Sequence, residues 1–373
     1  MFGAPARSYW NLDRNCIFLN HGSFGATPIG VLDEQSDWQR RLESQPVLFM
    51  AEELLPRLDR ARSCLGEFIG SDPAHLVLVD NATTGINTVL RSLDWQRGDK
   101  ILTTNHIYGA VRQALKFITD RYGVIVEEVA LTFWSDDVLE RLIPYLGADL
   151  RLLVIDHVTS PTALVFPIRE IIQAAHDRGV PVLVDGAHAP GMIDLNLSLL
   201  QPDWYVGNCH KWLCSAKGCG FIYTAPQWQS QTHPLVISHD YGKGYEAEFS
   251  WTGTKDFSSW LALPKAIEFL QGLGIEQARS YNLNLIRQAG EILAEAFHLS
   301  EIPPIQGFML SLPLPSTWQS QAPKEIHDWL LTQHHIEVPI VPWQDRLYVR
   351  ISAQVYNELE EYKILAHVIQ KRS

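Results

Sequence analysis

The sequence has few of the features that mark secreted, membrane-embedded or nucleic-acid-binding proteins. Its five cysteines in 373 residues are too few for the disulfide framework of a small secreted domain. It contains no run of about 18 apolar residues, which argues against a membrane-spanning helix, and its first residues lack the basic and apolar segments of a signal peptide. With 42 acidic and 30 basic residues, its net charge of −12 argues against nucleic acid or an anionic membrane as a partner. We therefore expect a soluble, cytoplasmic protein with reduced thiols.

The cysteines do not match a known metal-binding pattern. Cys209, Cys214 and Cys219 lie close to His210, but a C-x4-C-x4-C spacing corresponds to no common zinc motif. No second pair of ligands stands nearby in the sequence. We expect buried free thiols and no metal.

The first two thirds of the sequence alternate short apolar segments with helical patterns. Near-continuous apolar segments predict strands, and apolar residues at helical spacing predict the helices between them. Such alternation indicates an α/β fold whose mostly parallel sheet is covered on both faces and binds ligands beyond the carboxyl ends of its strands. The predicted strands are 77–79, 100–104, 124–129, 152–155 and 180–184, and the predicted helices are 86–91, 110–122 and 168–178.

Longer helical patterns precede and follow this alternation. One covers 28–68, which Pro46 and Pro56 must interrupt, and another covers 261–298. A short predicted strand and a closing helix follow the second pattern. We predict three regions, namely an N-terminal arm at 1–25, a large domain at 26–259 and a smaller α+β domain at 260–373.

Two charged residues end neighbouring apolar segments. Asp185 follows 180–184, and Lys211 stands 26 positions later in the otherwise apolar region 204–221. Lysine is seldom buried without a partner, and a buried lysine has a lowered pKa that suits nucleophilic chemistry. A pyridoxal phosphate enzyme needs this arrangement, because the lysine condenses with the cofactor aldehyde and the acid keeps the pyridine nitrogen protonated. A surface turn between two strands is the alternative for Lys211.

Two further groups follow predicted strands and suit the same ligand. Thr83 and Thr84 follow 77–79 and open a helix, where free amides and hydroxyls can bind phosphate; a helix cap is the alternative. His188 stands just beyond the carboxylate and can hydrogen-bond the phenolic oxygen of the ring.

Three more candidates are two aromatic rings and an arginine. His106 and Tyr108 follow 100–104, and either ring can stack on a planar ligand, although both can also be ordinary loop residues. Arg350 lies in the apolar segment 347–351, where it needs a partner. A bidentate clamp on a substrate carboxylate and an internal ion pair are the two alternatives.

Several segments together resemble the class V aminotransferases. The matching segments are NHGSFGATP at 20–28, DNATTGIN at 80–87, VDGAHAPG at 184–191, GNCHKW at 207–212 and WTGTKDFSSW at 251–260. The resemblance covers nearly the whole chain. Within the class, the first and last of these segments and RLYVRISAQVYN at 346–357 are most similar to the isopenicillin N epimerase family.

Residue by residue, the resemblance implies a pyridoxal phosphate site. Lys211 would be the Schiff-base lysine, Asp185 the partner of the pyridine nitrogen, and His188 a neighbour of the ring oxygen. Tyr108 would stack on the ring, with His106 as the alternative. The phosphate would be bound by Thr83, Thr84, Asn208 and His210, together with Thr254 of the neighbouring subunit of a homodimer.

The resemblance also implies the fold and the chemistry. The fold would be that of the PLP-dependent transferases (aspartate aminotransferase-like), and the enzyme would act at the α-carbon of an amino acid or a compound derived from one. Arg350 would hold the substrate carboxylate, and Asn20 and His21 would also bind the substrate. Epimerisation is the first outcome, and C–S lysis and transamination are alternatives. Cysteine desulfurase chemistry is not expected, because 336–350 has no cysteine where those enzymes carry a catalytic one. From another class, a non-catalytic protein with this fold is the alternative.

Overall fold

The computed structural model describes residues 2–371 and contains one seven-stranded sheet and two smaller sheets. The strands are β1 Ile17–Phe18, β2 Leu76–Val79, β3 Lys100–Thr104, β4 Ile125–Val129, β5 Leu150–Asp156, β6 Val182–Asp185, β7 Trp204–Asn208, β8 Gly220–Thr224, β9 Met309–Pro313, β10 Ile336–Glu337, β11 Ile340–Trp343 and β12 Arg346–Ser352. The large sheet has the order β2-β8-β7-β6-β5-β3-β4. Strand β8 is antiparallel to both of its neighbours, and all other pairs are parallel. The predicted α/β fold with a mostly parallel sheet is confirmed.

The large sheet is covered on both faces, because alternate residues of its strands belong to two separate apolar cores. Leu76 and Leu78 of β2 lie in one core, whereas Val77 and Val79 lie in the other. Successive side chains of a strand point to opposite faces, so a strand buried on both sides needs a continuous apolar sequence. All five predicted strands are present, with ends shifted by no more than two residues.

Helices cover this sheet and form most of the remaining structure. They are α1 His21–Phe24, α2 Ile29–Ser44, α3 Pro46–Leu48, α4 Leu54–Ile69, α5 Ala82–Ser92, α6 Gly109–Tyr122, α7 Val138–Leu142, α8 Ile168–His176, α9 Leu197–Leu200, α10 Tyr245–Ser250, α11 Ser258–Leu261, α12 Leu263–Leu273, α13 Ile275–Ala296, α14 Pro323–His334 and α15 Leu359–Lys371. The three predicted helices correspond to α5, α6 and α8. Among residues 2–371, no helix is both long and apolar enough to cross a membrane.

The two prolines divide the pattern at 28–68 in different ways. Helix α2 ends at Ser44 and Pro46 begins α3, as predicted. Pro56 instead lies in the first turn of α4, directly after the π-helical segment Phe49–Glu53. Proline is tolerated in a first turn, so the expected interruption is a change from π- to α-helical hydrogen bonding rather than a break.

The helical pattern at 261–298 is divided at Gly274. Helix α12 ends one residue before this glycine, and α13 begins one residue after it. Gly274 has a φ of +78°, which glycine adopts without steric cost and which commonly ends helices. The sequence did not predict this break, because apolar residues at helical spacing continue across the glycine.

The C-terminal part of the chain forms its own sheet and core. Strands β11, β12 and β9 form a three-stranded sheet, and apolar residues from this sheet, α13, α14 and α15 form a third core. Strand β1 pairs in parallel with β10, so the N-terminal residues are attached to the C-terminal region. Leu263 and Ile267 of α12 pack in the core of the large sheet, and the predicted domain boundary at 260 stays a prediction.

Candidate active site

A cleft of about 310 Å³ opens at the carboxyl ends of β5, β6 and β7. A mostly parallel sheet is expected to bind its ligand at this edge. The predicted site residues that line the cleft are Thr83, Tyr108, Asp185, His188, Asn208, His210 and Lys211. A larger groove of about 400 Å³ between α2, α4 and α12 contains none of them. The cleft is therefore the candidate active site.

Lys211 lies three residues beyond the end of β7 and points its amine into the cleft. Its Nζ is 3.1 Å from Nε2 of His188. Burial and, to a smaller extent, the charge of Arg350 lower the pKa of Lys211 from 10.5 to about 7, although Asp185 opposes them. A large fraction of the amine is therefore uncharged near neutral pH, as a nucleophile or general base requires.

We expect the acylation rate of Lys211 in the cofactor-free protein to rise with pH and reach half of its maximum near pH 7. Only the neutral amine reacts, so the midpoint reports the pKa. Trace labelling with acetic anhydride at a series of pH values, followed by peptide mass spectrometry, measures the acylation rate of each lysine. Lys100 is an internal reference, because its hydrogen bond to Asp149 raises its pKa above 10.5. A Lys211 midpoint at or above that of Lys100 would contradict the prediction.

A second carboxyl group, which the sequence analysis missed, stands beside Asp185. Asp156 ends β5 as Asp185 ends β6, and the two are partners in the sheet register. Oδ1 of Asp185 accepts a hydrogen bond from Ala187 N at 2.9 Å, whereas Oδ2 of Asp156 is buried without a partner among the described residues. Burial raises the pKa of both groups; the charge of Asp185 raises that of Asp156 further, while Ala187 and Lys211 counteract the rise in Asp185. We therefore expect Asp156 to carry a proton at neutral pH and Asp185 to be the carboxylate.

His188 is buried between Lys211 and Trp212. Its Nε2 faces the lysine amine at 3.1 Å, and its Nδ1 accepts a hydrogen bond from Nε1 of Trp212 at 3.3 Å. Burial lowers the pKa of His188 well below its ordinary value, and the positive charges of Lys211, Arg350 and His210 lower it further. The imidazole is therefore neutral at physiological pH.

The N-terminus of α5 faces the cleft. Its cap residue Asn81 accepts a hydrogen bond from Thr84 N at 2.9 Å, and Oδ1 of Asn208 accepts one from Ala82 N at 2.8 Å. The Thr84 hydroxyl also donates to Asn81, at 3.3 Å, and lines a neighbouring groove, whereas Thr83 lines the cleft. A helix N-terminus presents free N–H groups and a partial positive charge, which favours phosphate binding. The geometry thus favours Thr83 over Thr84 as an anion ligand.

Arg350 is buried on β12 and has no carboxylate partner within residues 2–371. Its guanidinium donates to the backbone O and Oγ of Ser160 at 2.6 and 3.0 Å, and to Oγ of Ser23 at 3.0 Å. Both serines line the cleft. Burial lowers the pKa of Arg350 to about 10, so it keeps its charge at neutral pH. The internal ion pair is not formed, and a cation held by neutral oxygens can bind a ligand carboxylate.

Asn20 and His21 do not line the cleft. His21 is fully buried behind the Lys211 segment, with Nε2 at 3.1 Å from the Lys211 carbonyl oxygen and Nδ1 at 2.8 Å from the Tyr356 hydroxyl. Asn20 accepts a hydrogen bond from the Ser23 hydroxyl at 2.5 Å. Both residues therefore support groups that line the cleft.

The turn after α1 packs tightly against the lysine segment. Gly25 has a φ of +70°, and a Cβ atom there would lie 2.1 Å from the carbonyl oxygen of His210 and 2.9 Å from Cα of Lys211. No larger residue fits without moving the segment that carries the amine.

Tyr108 lines the cleft, whereas His106 does not. Tyr108 caps the N-terminus of α6 and is 45% exposed. His106 is buried, with one ring nitrogen 2.7 Å from Oγ1 of Thr162 and the other 3.0 Å from the Thr132 carbonyl oxygen. The geometry favours Tyr108 as the ring that stacks on a planar ligand.

Thr254 is exposed and stands outside the cleft of the single chain. The next residue, Lys255, forms an ion pair with Asp80 at 3.1 Å, and Asp80 lines the cleft. The segment is therefore attached to the edge of the cleft.

The cysteines are free, and Cys209, Cys214 and Cys219 are buried, as predicted. Within residues 2–371, no group of three or more His, Cys, Asp or Glu side chains is placed to hold a metal ion.

The donor groups of the cleft fit pyridoxal phosphate. Lys211 offers an amine of lowered pKa, Asp185 a buried carboxylate, and the N-terminus of α5 an anion site. These are the groups that an aldehyde, a protonated pyridine nitrogen and a phosphate require.

Comparisons with known proteins find relatives along the whole chain. Residues 25–305 match the family described as Aminotransferase class-V. The chain is 33% identical to a putative L-cysteine desulfhydrase of Oryza sativa subsp. japonica, over 95% of this chain and 82% of that protein. It is 30% identical to isopenicillin N epimerase of Streptomyces clavuligerus, over 98% and 96%. The apo cysteine desulfurase of Thermococcus onnurineus NA1 has the same fold, with a TM-score of 0.85 at 19% identity over 100% of this chain and 98% of that chain.

Proposed function

The chain belongs to the class-V aminotransferase family of pyridoxal phosphate enzymes, and we propose that it removes the α-proton of an L-amino acid or of a compound derived from one. The observation that supports this proposal best is the largely neutral amine of Lys211 in a cleft whose lining serines, Ser160 and Ser23, hold the buried guanidinium of Arg350. When bound, the cofactor links to amines through its aldehyde, and its protonated ring accepts the electron pair left at the α-carbon.

We propose that different residues lining the cleft each contact a different part of the cofactor. Lys211 holds the cofactor covalently, Asp185 pairs with the ring nitrogen, His188 donates to the ring oxygen and Tyr108 stacks on the ring. Thr83, Asn208 and His210 surround the phosphate. The placement of these residues around one cleft supports the assignment.

Arg350 and Lys211 would then handle the substrate. Arg350 binds the α-carboxylate, with Ser160 and Ser23 fixing the plane of the guanidinium. The bound carboxylate would orient the α-C–H bond towards Nζ of Lys211. After the substrate amine has displaced it from the cofactor, Lys211 would take the proton as a general base. The lowered pKa of the amine keeps it available for this step at neutral pH.

Replacing Arg350 by alanine is expected to raise KM by about 30-fold or more, because losing one partner of a buried charge pair costs about 2 kcal/mol or more. The cofactor should stay bound, since Arg350 is not among the proposed cofactor ligands. Steady-state kinetics and the visible absorbance of the cofactor measure the two effects. Arg350→Lys is the matched control: it keeps the charge but loses the planar fork, and an intermediate KM is expected. An unchanged KM in Arg350→Ala would refute the clamp.

We propose epimerisation as the first candidate for the fate of the substrate, with a proton returning to the opposite face of the α-carbon. The similarity to isopenicillin N epimerase over nearly the whole length of both chains supports it.

Cleavage of a carbon–sulfur bond is the second candidate, and a specific observation favours it. Elimination of a β-sulfur needs one base, and Lys211 is the available amine of the cleft. Lys217, the other lysine that lines the cleft in the described chain, donates to the Gly25 carbonyl oxygen and to Oγ1 of Thr27, both at 3.0 Å. The similarity to L-cysteine desulfhydrases also supports this outcome.

Proton NMR of the holoenzyme with a panel of L-amino acids in D2O tests the proposal. Loss of the α-proton signal with the amino acid retained, followed by chiral analysis, identifies epimerisation. Pyruvate and ammonia, released with sulfide from cysteine or with cysteine persulfide from cystine, identify C–S lysis. A keto acid formed without free ammonia or a sulfur product identifies transamination. Retention of every α-proton, in a panel that includes amino acids with large side chains and cysteine S-conjugates, would refute the proposed function.

We further propose that the enzyme is a homodimer whose partner subunit completes each phosphate site through Thr254. The exposure of Thr254, together with the attachment of its segment to the edge of the cleft, supports this arrangement. Sedimentation equilibrium should give twice the chain mass, and Thr254→Ala should weaken cofactor binding without changing that mass. A monomer that binds the cofactor normally would contradict the proposal.

We also propose a cytoplasmic location. The five free cysteines, three of them buried in the core, suit a reducing compartment. Fractionation of the source cells followed by immunoblotting decides the location.

A further inference from the structure

Two buried side chains, those of Trp212 and His188, connect by consecutive contacts to the amine of Lys211. The indole Nε1 of Trp212 donates to Nδ1 of His188 at 3.3 Å, and Nε2 of His188 lies 3.1 Å from Nζ of Lys211. Trp212 and His188 are each 2% exposed. Trp212 follows Lys211 directly in the sequence, so the same short backbone segment positions the indole and the amine that lie on either side of His188.

The chemistry of these groups determines where the proton of His188 lies. An indole N–H can only donate, so Nδ1 of His188 must present its lone pair to Trp212. The imidazole is neutral, since burial and the positive charges of Lys211, Arg350 and His210 oppose a second proton. A neutral imidazole carries one N–H, which must therefore be on Nε2.

We propose that Trp212 is a positioning residue that holds His188 in the Nε2–H tautomer, so that His188 is a fixed hydrogen-bond donor into the cleft. In the cofactor-free protein this N–H donates to the lone pair of the Lys211 amine. In the holoenzyme it donates to the ring oxygen of the cofactor. The second part rests on the proposed function, whereas the first does not.

The tautomer affects the charge of Lys211. An Nε2–H donor can pair only with a neutral amine, whereas a bare Nε2 would accept a hydrogen bond from an ammonium group. Holding the proton on Nε2 therefore favours the neutral lysine, in the same direction as burial and the charge of Arg350 and against the charge of Asp185. Removing the indole N–H frees His188 to adopt the other tautomer and should raise the pKa of Lys211.

The test compares two tryptophan variants in the cofactor-free protein. Trp212→Phe removes the indole N–H and keeps an aromatic ring. Trp204→Phe is the matched control, because Trp204 is fully buried on β7 and its Nε1 donates to Oγ1 of Thr232 at 3.0 Å, which is not a cleft residue. Long-range 1H–15N spectra of histidine-labelled protein report the tautomer, and the His188→Gln spectrum identifies the His188 signals among the 14 histidines.

We expect an Nε2–H tautomer for His188 in the wild type and in Trp204→Phe, and a mixed or Nδ1–H state in Trp212→Phe. The midpoint of Lys211 acylation should move upwards by one pH unit or more in Trp212→Phe alone. A wild-type His188 protonated on Nδ1, or an identical acylation midpoint in Trp212→Phe, would overturn the proposal. Should Trp212→Phe fail to fold, the wild-type spectrum decides alone.

The holoenzyme supplies an independent readout. In Trp212→Phe, the pH at which the visible absorbance of the bound cofactor changes should move upwards, because its ring oxygen loses a fixed donor. A protein that never binds the cofactor would refute the proposed function and leave the tautomer result intact, so the two failures are distinguishable. An unchanged absorbance midpoint would overturn the second part of the proposal only.

Discussion

Replacing Lys211 by alanine is expected to lower kcat/KM by about 10²- to 10⁴-fold, the usual contribution of a positioned general base. The variant loses the cleft amine whose pKa burial and Arg350 lower to about 7. Lys217, the other lysine that lines the described cleft, donates to the Gly25 carbonyl oxygen and to Oγ1 of Thr27 instead. Borohydride followed by denaturation should leave the cofactor attached to the wild type and release it from the variant. Mass spectrometry of the intact chain measures the attachment.

The controls separate loss of the amine from loss of the fold. Lys100→Ala removes an exposed ion pair with Asp149. Exposed pairs contribute little to stability, so activity should be unchanged. Lys211→Arg keeps a positive charge but cannot condense with an aldehyde, and it should be as inactive as Lys211→Ala. Substantial turnover in either Lys211 variant would show that the proton is removed by another group.

Replacing Asp185 by asparagine is expected to slow α-proton removal by about 10²- to 10³-fold, the usual loss when one group that stabilises developing charge is removed. A carboxylate stabilises a protonated ring nitrogen, whereas an amide of the same shape leaves that nitrogen neutral and the ring a poorer electron acceptor. Exchange of the α-proton in D2O, followed by NMR, measures this step directly. Arg350 is unchanged in the variant, so KM should move far less than the exchange rate.

Asp156→Asn is the matched control for this prediction. It removes the neighbouring carboxyl group, which we expect to be protonated in the folded protein, and so changes the charge of the site little. Its exchange rate should fall by less than about tenfold. A larger effect in Asp156→Asn than in Asp185→Asn would reverse the assignment of the two carboxyl groups.

The sequence was sufficient for the parts of the site that lie on neighbouring strands. Asp185 and the segment of Lys211 end β6 and β7, two adjacent strands of the large sheet. Their apolar sequences are continuous because both faces are buried, and a charged residue at the end of such a segment stands out. Asp156 ends β5 in the same way, so the same signal was available for it.

The sequence was not sufficient where the site depends on distant contacts. Ser160 and Ser23 hold Arg350 from positions 190 and 327 residues away, and no local pattern encodes such pairs. The placement of His21 behind the lysine rather than in the cleft follows from the tight packing of Gly25 against Lys211. That packing is a property of the folded chain.

The contacts of residues 20–21 with Glu337 and Tyr356 determine when the site can form during synthesis. The contact of His21 with Tyr356 closes a loop of 335 residues, and that of Asn20 with Glu337 closes one of 317. A nascent chain can complete the large sheet once β8 has been synthesised, but α1 then has no β12 or Tyr356 to pack against. Closure of such long loops is slow, and domains fold in order of their synthesis. We therefore expect the cleft to gain Arg350 and the contacts behind Lys211 only after residues 337–356 have been synthesised.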